Sequence, residues 1–252
     1  MSIIIDLDFY QATLATKGGW DTNTIDNSGG LDWTSAAAMA GTSLGQASTA
    51  GASGSHASGT IEITAITSGT LRVRYYLDTN GVTMDNAVAG TFMQLKDTSQ
   101  GAQNRTNIKI RYLTASGYEI DWDWKNDASS FHGAIVVKIS DGPHLIEHEI
   151  VKATGASAND GQYRIFVDGV MEGEKTDIDL YTSFGFDKLL AGPILGGAAT
   201  NTRGTMYIDN IIVNDDGSKI GPVGLTGYRS RFTAEERPDR RTRYSRLRTR
   251  WN

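Results

Sequence analysis

The sequence contains no cysteine and only four prolines among its 252 residues. Without cysteine the chain can form neither disulfide bonds nor thiolate metal sites, so its stability must come from packing and backbone pairing. No apolar run approaches the roughly 20 residues that span a bilayer. The N-terminal stretch also lacks the basic and apolar regions of a signal peptide. From these absences we expect a soluble protein that is made in the cytoplasm.

Glycine is abundant, and serine, threonine, asparagine and aspartate recur between short runs of alternating or β-branched residues. This rhythm is typical of a two-layer antiparallel β protein. The runs are 60–66, 70–78, 91–96, 107–114, 118–124, 134–140, 144–152, 162–168 and 205–214. The sequence therefore predicts an all-β fold, a two-sheet antiparallel β-sandwich or jelly roll with an arginine-rich C-terminal extension.

Two changes in composition divide the chain. We expect the jelly roll to occupy residues 1–216, and a linker with a basic C-terminal arm to occupy residues 217–252. Within the jelly roll, the segment 34–60 consists almost entirely of small residues that have little surface to bury. This composition predicts a long excursion over the protein surface.

The stretch Tyr118–Lys125, with the sequence YEIDWDWK, places carboxylates at alternate positions. Glu119, Asp121 and Asp123 therefore share one face of a strand, and two tryptophans lie on the other face. Such a row is either the solvated face of an ordinary strand or the catalytic edge of an enzyme.

The preceding strand helps to decide between these two interpretations. A three-residue loop at 115–117, with its glycine in the left-handed region, sets Arg111 opposite Asp121 and Lys109 opposite Asp123. In this register the isoleucines of the first strand face the tryptophans of the second. One face is then apolar, and the other pairs opposite charges.

The segment Glu119-Ile120-Asp121-Trp122-Asp123 resembles the Glu-x-Asp-x-Glu strand of laminarinase- and lichenase-type glucanases, which have a concanavalin A-like jelly roll. The resemblance implies that Glu119 is the nucleophile, that Asp121 assists, and that Asp123 is the acid/base. Asp123 is one methylene shorter than the glutamate of that family, and its basic neighbour favours the ionised carboxylate, which cannot act as a general acid. We expect a solvated, ion-paired face.

Two more segments are similar to the same superfamily. Residues 161–174 resemble a laminin-G or pentraxin-type strand that turns through Asp-Gly, and residues 204–215 resemble the closing strand of such jelly rolls. The resemblance implies a calcium ion held by Asp6 or Asp8 near the N-terminus and by Asp209 in the last strand. Carboxylate oxygens suit calcium, although solvated acids at strand edges would look the same in sequence.

Aromatic residues and histidines form further candidate sites. Tyr10, Trp20 and Trp33 could form a sugar-stacking platform, but we expect them to be core or interface residues. His144 and His148 match a zinc pattern that requires a helix. Because the surrounding residues alternate as in a strand, the two histidines would lie too far apart for one zinc ion.

The C-terminal segment 228–252 carries nine arginines and three acidic residues, a net charge of +6 that leaves −11 on the first 227 residues. Arginine interleaved with aromatic residues is typical of segments that bind nucleic acid or acidic protein surfaces. The predicted partner-binding residues are Arg229, Arg231, Arg240, Arg241, Arg243, Tyr244, Arg246, Arg248, Arg250 and Trp251. The acidic body makes self-assembly through this arm plausible.

Together these features predict a non-enzymatic structural protein of a virus particle, such as a bacteriophage capsid decoration protein or a tail-associated subunit, anchored by its basic arm. Its expected location is the virion, and its expected partners are other virion proteins, copies of itself or host surface glycans. Nucleic acid would bind only through the arm, and no membrane partner is expected. The alternatives are a carbohydrate-binding, lectin-like adhesin and a laminarinase- or lichenase-like glycoside hydrolase.

Overall fold

The computed structural model describes residues 3–7, 21–26, 30–39, 44–50, 56–67, 69–98, 103–128, 130–194 and 204–222. The chain divides into two compact units, Met1–Pro222 and Val223–Asn252, and the described residues all belong to the first. Their helical structure is a single turn of 3-10 helix at Ser35–Ala37. No helix within these ranges is long and apolar enough to cross a bilayer.

The first unit is built from β-strands. In chain order they are β1 (Ile3–Leu7), β2 (Thr22–Asp26), β3 (Gly30–Thr34), β4 (Gly45–Ala50), β5 (His56–Ile66), β6 (Thr70–Asp78), β7 (Ala89–Asp97), β8 (Gln103–Leu113), β9 (Gly117–Lys125), β10 (Phe131–Ile139), β11 (Pro143–Val151), β12 (Gly161–Val167), β13 (Val170–Ile178), β14 (Phe186–Ile194) and β15 (Gly204–Asn214).

The strands form two sheets. The eight-stranded sheet has the order β13-β12-β11-β6-β15-β4-β3, and β1 also pairs with β15. The seven-stranded sheet has the order β10-β9-β8-β7-β14-β5-β2. Every strand pairing within the described residues is antiparallel. The predicted all-β, two-sheet sandwich is thus confirmed, and the first strand closes onto the last.

Each of the nine predicted runs coincides with a strand and extends beyond it by at most one residue, and the Asp-Gly turn after β12 forms a tight hairpin. Asp168 and Gly169 there have φ values of 52° and 84°, which suit a two-residue hairpin loop. Strands β1 to β4, β13 and β14 lie outside the nine predicted runs. Their sequences are short, rich in small residues or, in β13, mostly polar, so the alternation of polar and apolar side chains is weak.

The predicted surface excursion at 34–60 is wrong over its described part, because β4 and the start of β5 lie within it. Small side chains allow this segment to pack closely. A Cβ atom at Gly45 would lie 2.0 Å from the carbonyl oxygen of Ala37. Gln46 and Ser48 are buried, and the side-chain amide of Gln46 donates to Ser48 Oγ. Small residues here mark close contact rather than exposure.

An aromatic cluster joins the two sheets. Trp122 of the seven-stranded sheet packs edge-to-face against His148 and Tyr163 of the eight-stranded sheet, with ring centroids 4.4 and 4.6 Å apart. Trp124 stacks on Tyr163 at 4.7 Å. All four side chains are buried. These contacts fix which face of β9 points inward, as the sequence predicted for both tryptophans.

The residues after β15 pack on the outer face of the eight-stranded sheet. The backbone N–H groups of Ile220 and Gly221 donate to the Glu147 carboxylate at 3.1 and 3.0 Å, and Arg72 Nε donates to the carbonyl oxygen of Gly217 at 2.9 Å. The described residues 217–222, which the sequence predicted to be linker, therefore belong to the body of the sandwich.

His148 makes stability depend on pH. Burial lowers the pKa of His148 to about 3, whereas an unfolded histidine titrates near 6.5. Below pH 6.5 the unfolded chain therefore binds a proton that the folded chain does not, and stability falls as the pH is lowered. Between pH 7 and pH 5 this group should cost about 2 kcal/mol of unfolding free energy. His148→Gln should lose that part of the dependence in urea titrations at the two pH values; equal losses in both proteins would contradict the assignment.

Candidate functional site

The β8–β9 hairpin carries the predicted carboxylate row, but its register differs from the predicted one. The turn is formed by residues 114–116, and Gly117, with φ 82°, lies opposite Leu113. Arg111 is therefore opposite Glu119 rather than Asp121. The turn begins one residue earlier than predicted, which moves each pairing by two positions along the partner strand. Because side chains alternate with a period of two, the faces remain as predicted.

The three carboxylates lie on the outer face of the seven-stranded sheet and have basic neighbours. Lys109 Nζ donates to Asp123 as predicted, and Arg111 Nε donates to Glu119 Oε2 at 2.8 Å. Arg111 also lies 3.9 Å from Asp121. Burial raises the pKa of Asp121, and the positive charges of Lys109 and Arg111 offset part of that effect. The structure thus brings the row together as the ion-paired face that the sequence favoured, but Glu119 and Asp121 are buried rather than solvated.

A second group on the same outer face was not predicted. The side-chain amide of Gln94 on β7 donates to Asn107 Oδ1 on β8 at 2.9 Å, and both residues are buried. Lys96 follows Gln94 by two positions on β7, and it lies directly opposite Lys188 of β14. Lys188 Nζ forms an ion pair with Glu62 Oε1 at 2.7 Å. Within the described part of the chain, Lys96 makes no ion pair.

Two like charges opposite each other affect proton binding. Burial is the main cause of a lowered pKa at Lys96, and the positive charge of Lys188 adds to it. A cation that is partly desolvated and faces another cation destabilises the sheet unless an anion approaches it. The alternation in β7 could have indicated that Gln94 and Lys96 share a face, but the position of Lys188 follows only from strand order. We call Gln94, Lys96, Asn107 and Lys188 the lysine–amide cluster.

The predicted calcium ligands that the structure describes lie on the paired strands β1 and β15. Asp209 is fully buried on β15, and its Oδ2 accepts a hydrogen bond from the backbone N–H of Met39 at 2.7 Å. Asp6 lies on β1 opposite Ile212, and Asp8 lies outside the described residues. The described residues contain no group of three or more histidine or acidic residues suited to a metal ion. The calcium site therefore stays a prediction that rests on resemblance.

The remaining candidates fall into two groups. Trp33 is a buried core residue, as expected, whereas Tyr10 and Trp20 lie outside the described residues. His144 and His148 lie on strand β11 and have separate partners, Asp168 and Tyr75. They form no shared site. The predicted partner-binding residues between Arg229 and Trp251 all lie outside the described residues.

No family model and no curated protein matches the chain in sequence. Solved structures match it in fold. An endo-β-1,4-glucuronan lyase from the fungus Trichoderma reesei is 14% identical with a TM-score of 0.60, covering 88% of this chain and 98% of that one. The cellulose induced protein Cip1 is 16% identical with a TM-score of 0.60, covering 86% and 99%.

The receptor-binding domain of botulinum neurotoxin D is 8% identical with a TM-score of 0.53, covering 86% of this chain and 50% of that one. At such identities the likeness shows the fold alone, a jelly-roll sandwich that is shared by a lyase and a receptor-binding domain. The prediction that this chain is not an enzyme is wrong as an exclusion, because a glucuronan lyase shares the fold. It rested on missing motifs, and a motif search cannot test groups that come together only on folding.

The carboxylate row makes a stability prediction. Because the folded-state pKa of Asp121 is raised, its charge opposes folding above the unfolded pKa. Asp121→Asn should therefore leave the unfolding free energy at pH 7 unchanged or higher. Glu119→Gln loses a charged hydrogen bond with Arg111 and should lower it by about 1–3 kcal/mol. Urea denaturation at pH 7 measures both, and an equal destabilisation by the two variants would contradict this account.

Proposed function

We propose that this protein recognises an acidic polysaccharide, such as a polymer of uronic acids, on the outer face of its seven-stranded sheet. The observation that carries the proposal is the directly opposed pair of Lys96 and Lys188. Opposed like charges on neighbouring strands are unfavourable, and an anionic ligand would relieve that repulsion. The ligand's carboxylate would bind to Lys96, which has no ion pair within the described residues.

The neighbouring amides supply the other part of the site. The side-chain N–H of Gln94 is bonded to Asn107 Oδ1. In this pair, Gln94 Oε1 remains as an acceptor and Asn107 Nδ2 remains as a donor. Such groups suit the hydroxyls of a sugar. Because both residues are buried by their neighbours, their positions are fixed before a ligand arrives.

The carboxylate row limits where an acidic polymer can lie. Glu119 and Asp123 are already bonded to Arg111 and Lys109, so this half of the face offers no uncompensated positive charge. The lysine–amide cluster is therefore the favoured place for a uronate. The glucuronan lyase that shares this fold is named for a polymer of this type, which supports the proposal without establishing it.

Cleavage of the same polymer is the second candidate function, and the lowered pKa of Lys96 favours it. A lysine that loses its proton more readily can accept the proton at C5 of a bound uronate. The C4–oxygen bond then breaks, a C4–C5 double bond forms, and the leaving oxygen takes up a proton. The released product would be an unsaturated uronate that absorbs ultraviolet light.

The binding proposal is tested with polyglucuronate and a neutral β-glucan as probes, using isothermal titration calorimetry. The intact chain should bind polyglucuronate, more weakly as salt rises, and should not bind the β-glucan. Lys96→Gln should weaken binding at least about tenfold because it removes a charged hydrogen-bond donor. Lys219→Gln, a charge-matched control on the other sheet, should bind as the native chain does. Equal affinities of the two variants, or absence of binding to polyglucuronate, would refute the proposal.

The arginine-rich segment is a separate proposal that rests on sequence alone. We propose that residues 228–252 hold the protein to an acidic partner, such as a neighbouring subunit of a virus particle, because the segment has a charge of +6. Deleting 228–252 should abolish salt-sensitive assembly, measured by sedimentation of the protein alone and with its virion partners. Polyglucuronate binding should be unchanged in the deletion. Unaltered assembly would reject the anchoring role.

A further inference from the structure

A row of charged side chains crosses the outer face of the seven-stranded sheet at the lysine–amide cluster. Glu62 on β5 lies directly opposite Lys188 on β14, and Lys188 lies directly opposite Lys96 on β7. Because paired positions on neighbouring strands share a face of the sheet, the three side chains leave the sheet on the same side. These three strands therefore contribute one carboxylate and two ammonium groups to the row.

The carboxylate lies at one end of this row, and backbone hydrogen bonds hold its strand there. The backbone N–H of Glu62 donates to Asp21 Oδ2 at 2.7 Å, and the backbone N–H of Asp21 donates to the carbonyl oxygen of Thr60 at 2.9 Å. From this position Glu62 Oε1 forms an ion pair with Lys188 Nζ at 2.7 Å. Glu62 thus neutralises the nearer lysine of the opposed pair but forms no ion pair with the farther one, Lys96.

The ion pair between Glu62 and Lys188 is exposed, so another anion can replace it. The side chain of Glu62 retains 68% of its accessible surface, and that of Lys188 retains 23%. Exposed ion pairs are weak, because water and dissolved salt screen them. A ligand carboxylate that contacts both lysines can take the place of Glu62 at little cost, since the displaced carboxylate returns to water.

We propose that Glu62 occupies the place of the ligand's carboxylate in the free protein and is displaced when an acidic polysaccharide binds. Glu62 then determines specificity. A polymer with a uronate on each ring supplies carboxylates that replace Glu62, whereas a neutral glycan leaves its ion pair with Lys188 intact. This inference rests on the proposed function of the lysine–amide cluster and identifies the residue that regulates binding there.

The free protein provides a first test that needs no ligand. Burial, and after it the positive charge of Lys188, lowers the pKa of Lys96. Glu62→Gln removes the carboxylate that balances Lys188, so the pKa of Lys96 should fall further. NMR titration of the lysine side-chain signals in the native chain and the variant measures this change. An unchanged pKa of Lys96 would overturn the proposal, because Glu62 would then have no effect on the lysine pair.

The binding test uses isothermal titration calorimetry of the full chain with polyglucuronate. Glu62→Gln should bind about three- to fivefold more tightly than the native chain, because the ligand no longer displaces an exposed ion pair. Glu174→Gln is the matched control, since Glu174 forms an exposed cross-strand ion pair with Arg164 on the eight-stranded sheet at 2.6 Å. The control changes the net charge equally and should bind as the native chain does, because salt screens distant charges.

A double-mutant cycle tests whether Glu62 acts through Lys188. In a Lys188→Gln background, Glu62→Gln should change the affinity less than it does in the native chain, because no ion pair remains to be displaced. Equal affinities of the native chain and Glu62→Gln would overturn this proposal and leave the proposed function standing. An equal gain in Glu174→Gln would also overturn it. Absence of polyglucuronate binding by all of these chains would refute the proposed function and this inference together.

Discussion

The structure depends on the burial of two tryptophans between the sheets. Trp122 and Trp124 interdigitate with His148 and Tyr163 of the opposite sheet, and such aromatic contacts contribute both apolar area and geometric preference. Because side chains alternate along a strand, this contact obliges the residues between the tryptophans to face outward. The polar outer face of the seven-stranded sheet is therefore a direct consequence of how its inner face packs.

The outer faces of the two sheets differ in how completely their charged side chains are paired. On the eight-stranded sheet, Arg72 forms ion pairs with Glu147 and Glu149 at 2.7 Å. Glu147 also accepts hydrogen bonds from the backbone N–H groups of residues 220 and 221. Charges there are matched and covered by the protein's own chain. On the seven-stranded sheet, the opposed Lys96 and Lys188 leave positive charge that the described residues only partly balance. An anionic ligand therefore fits the second face better than the first.

The lysine–amide cluster follows from strand order rather than from a recognisable motif. It lies on the central strands β7, β8 and β14 of the seven-stranded sheet. The same fold serves a glucuronan lyase and a toxin receptor-binding domain, so the sites, not the fold, must define the function.

The sequence alone determined the fold class and the inward face of β9, because both depend on alternation along single strands. It predicted the ion pair of Lys109 and Asp123 from a shifted register, since Lys109 lies opposite Asp121 and reaches Asp123 diagonally. It did not determine the sheet position of β4, since small residues give no periodic signal. Nor could it place Lys188 opposite Lys96, which are far apart in the chain. Only the tertiary structure decided these, because strand order brings distant residues together through long-range backbone pairing that no local pattern encodes.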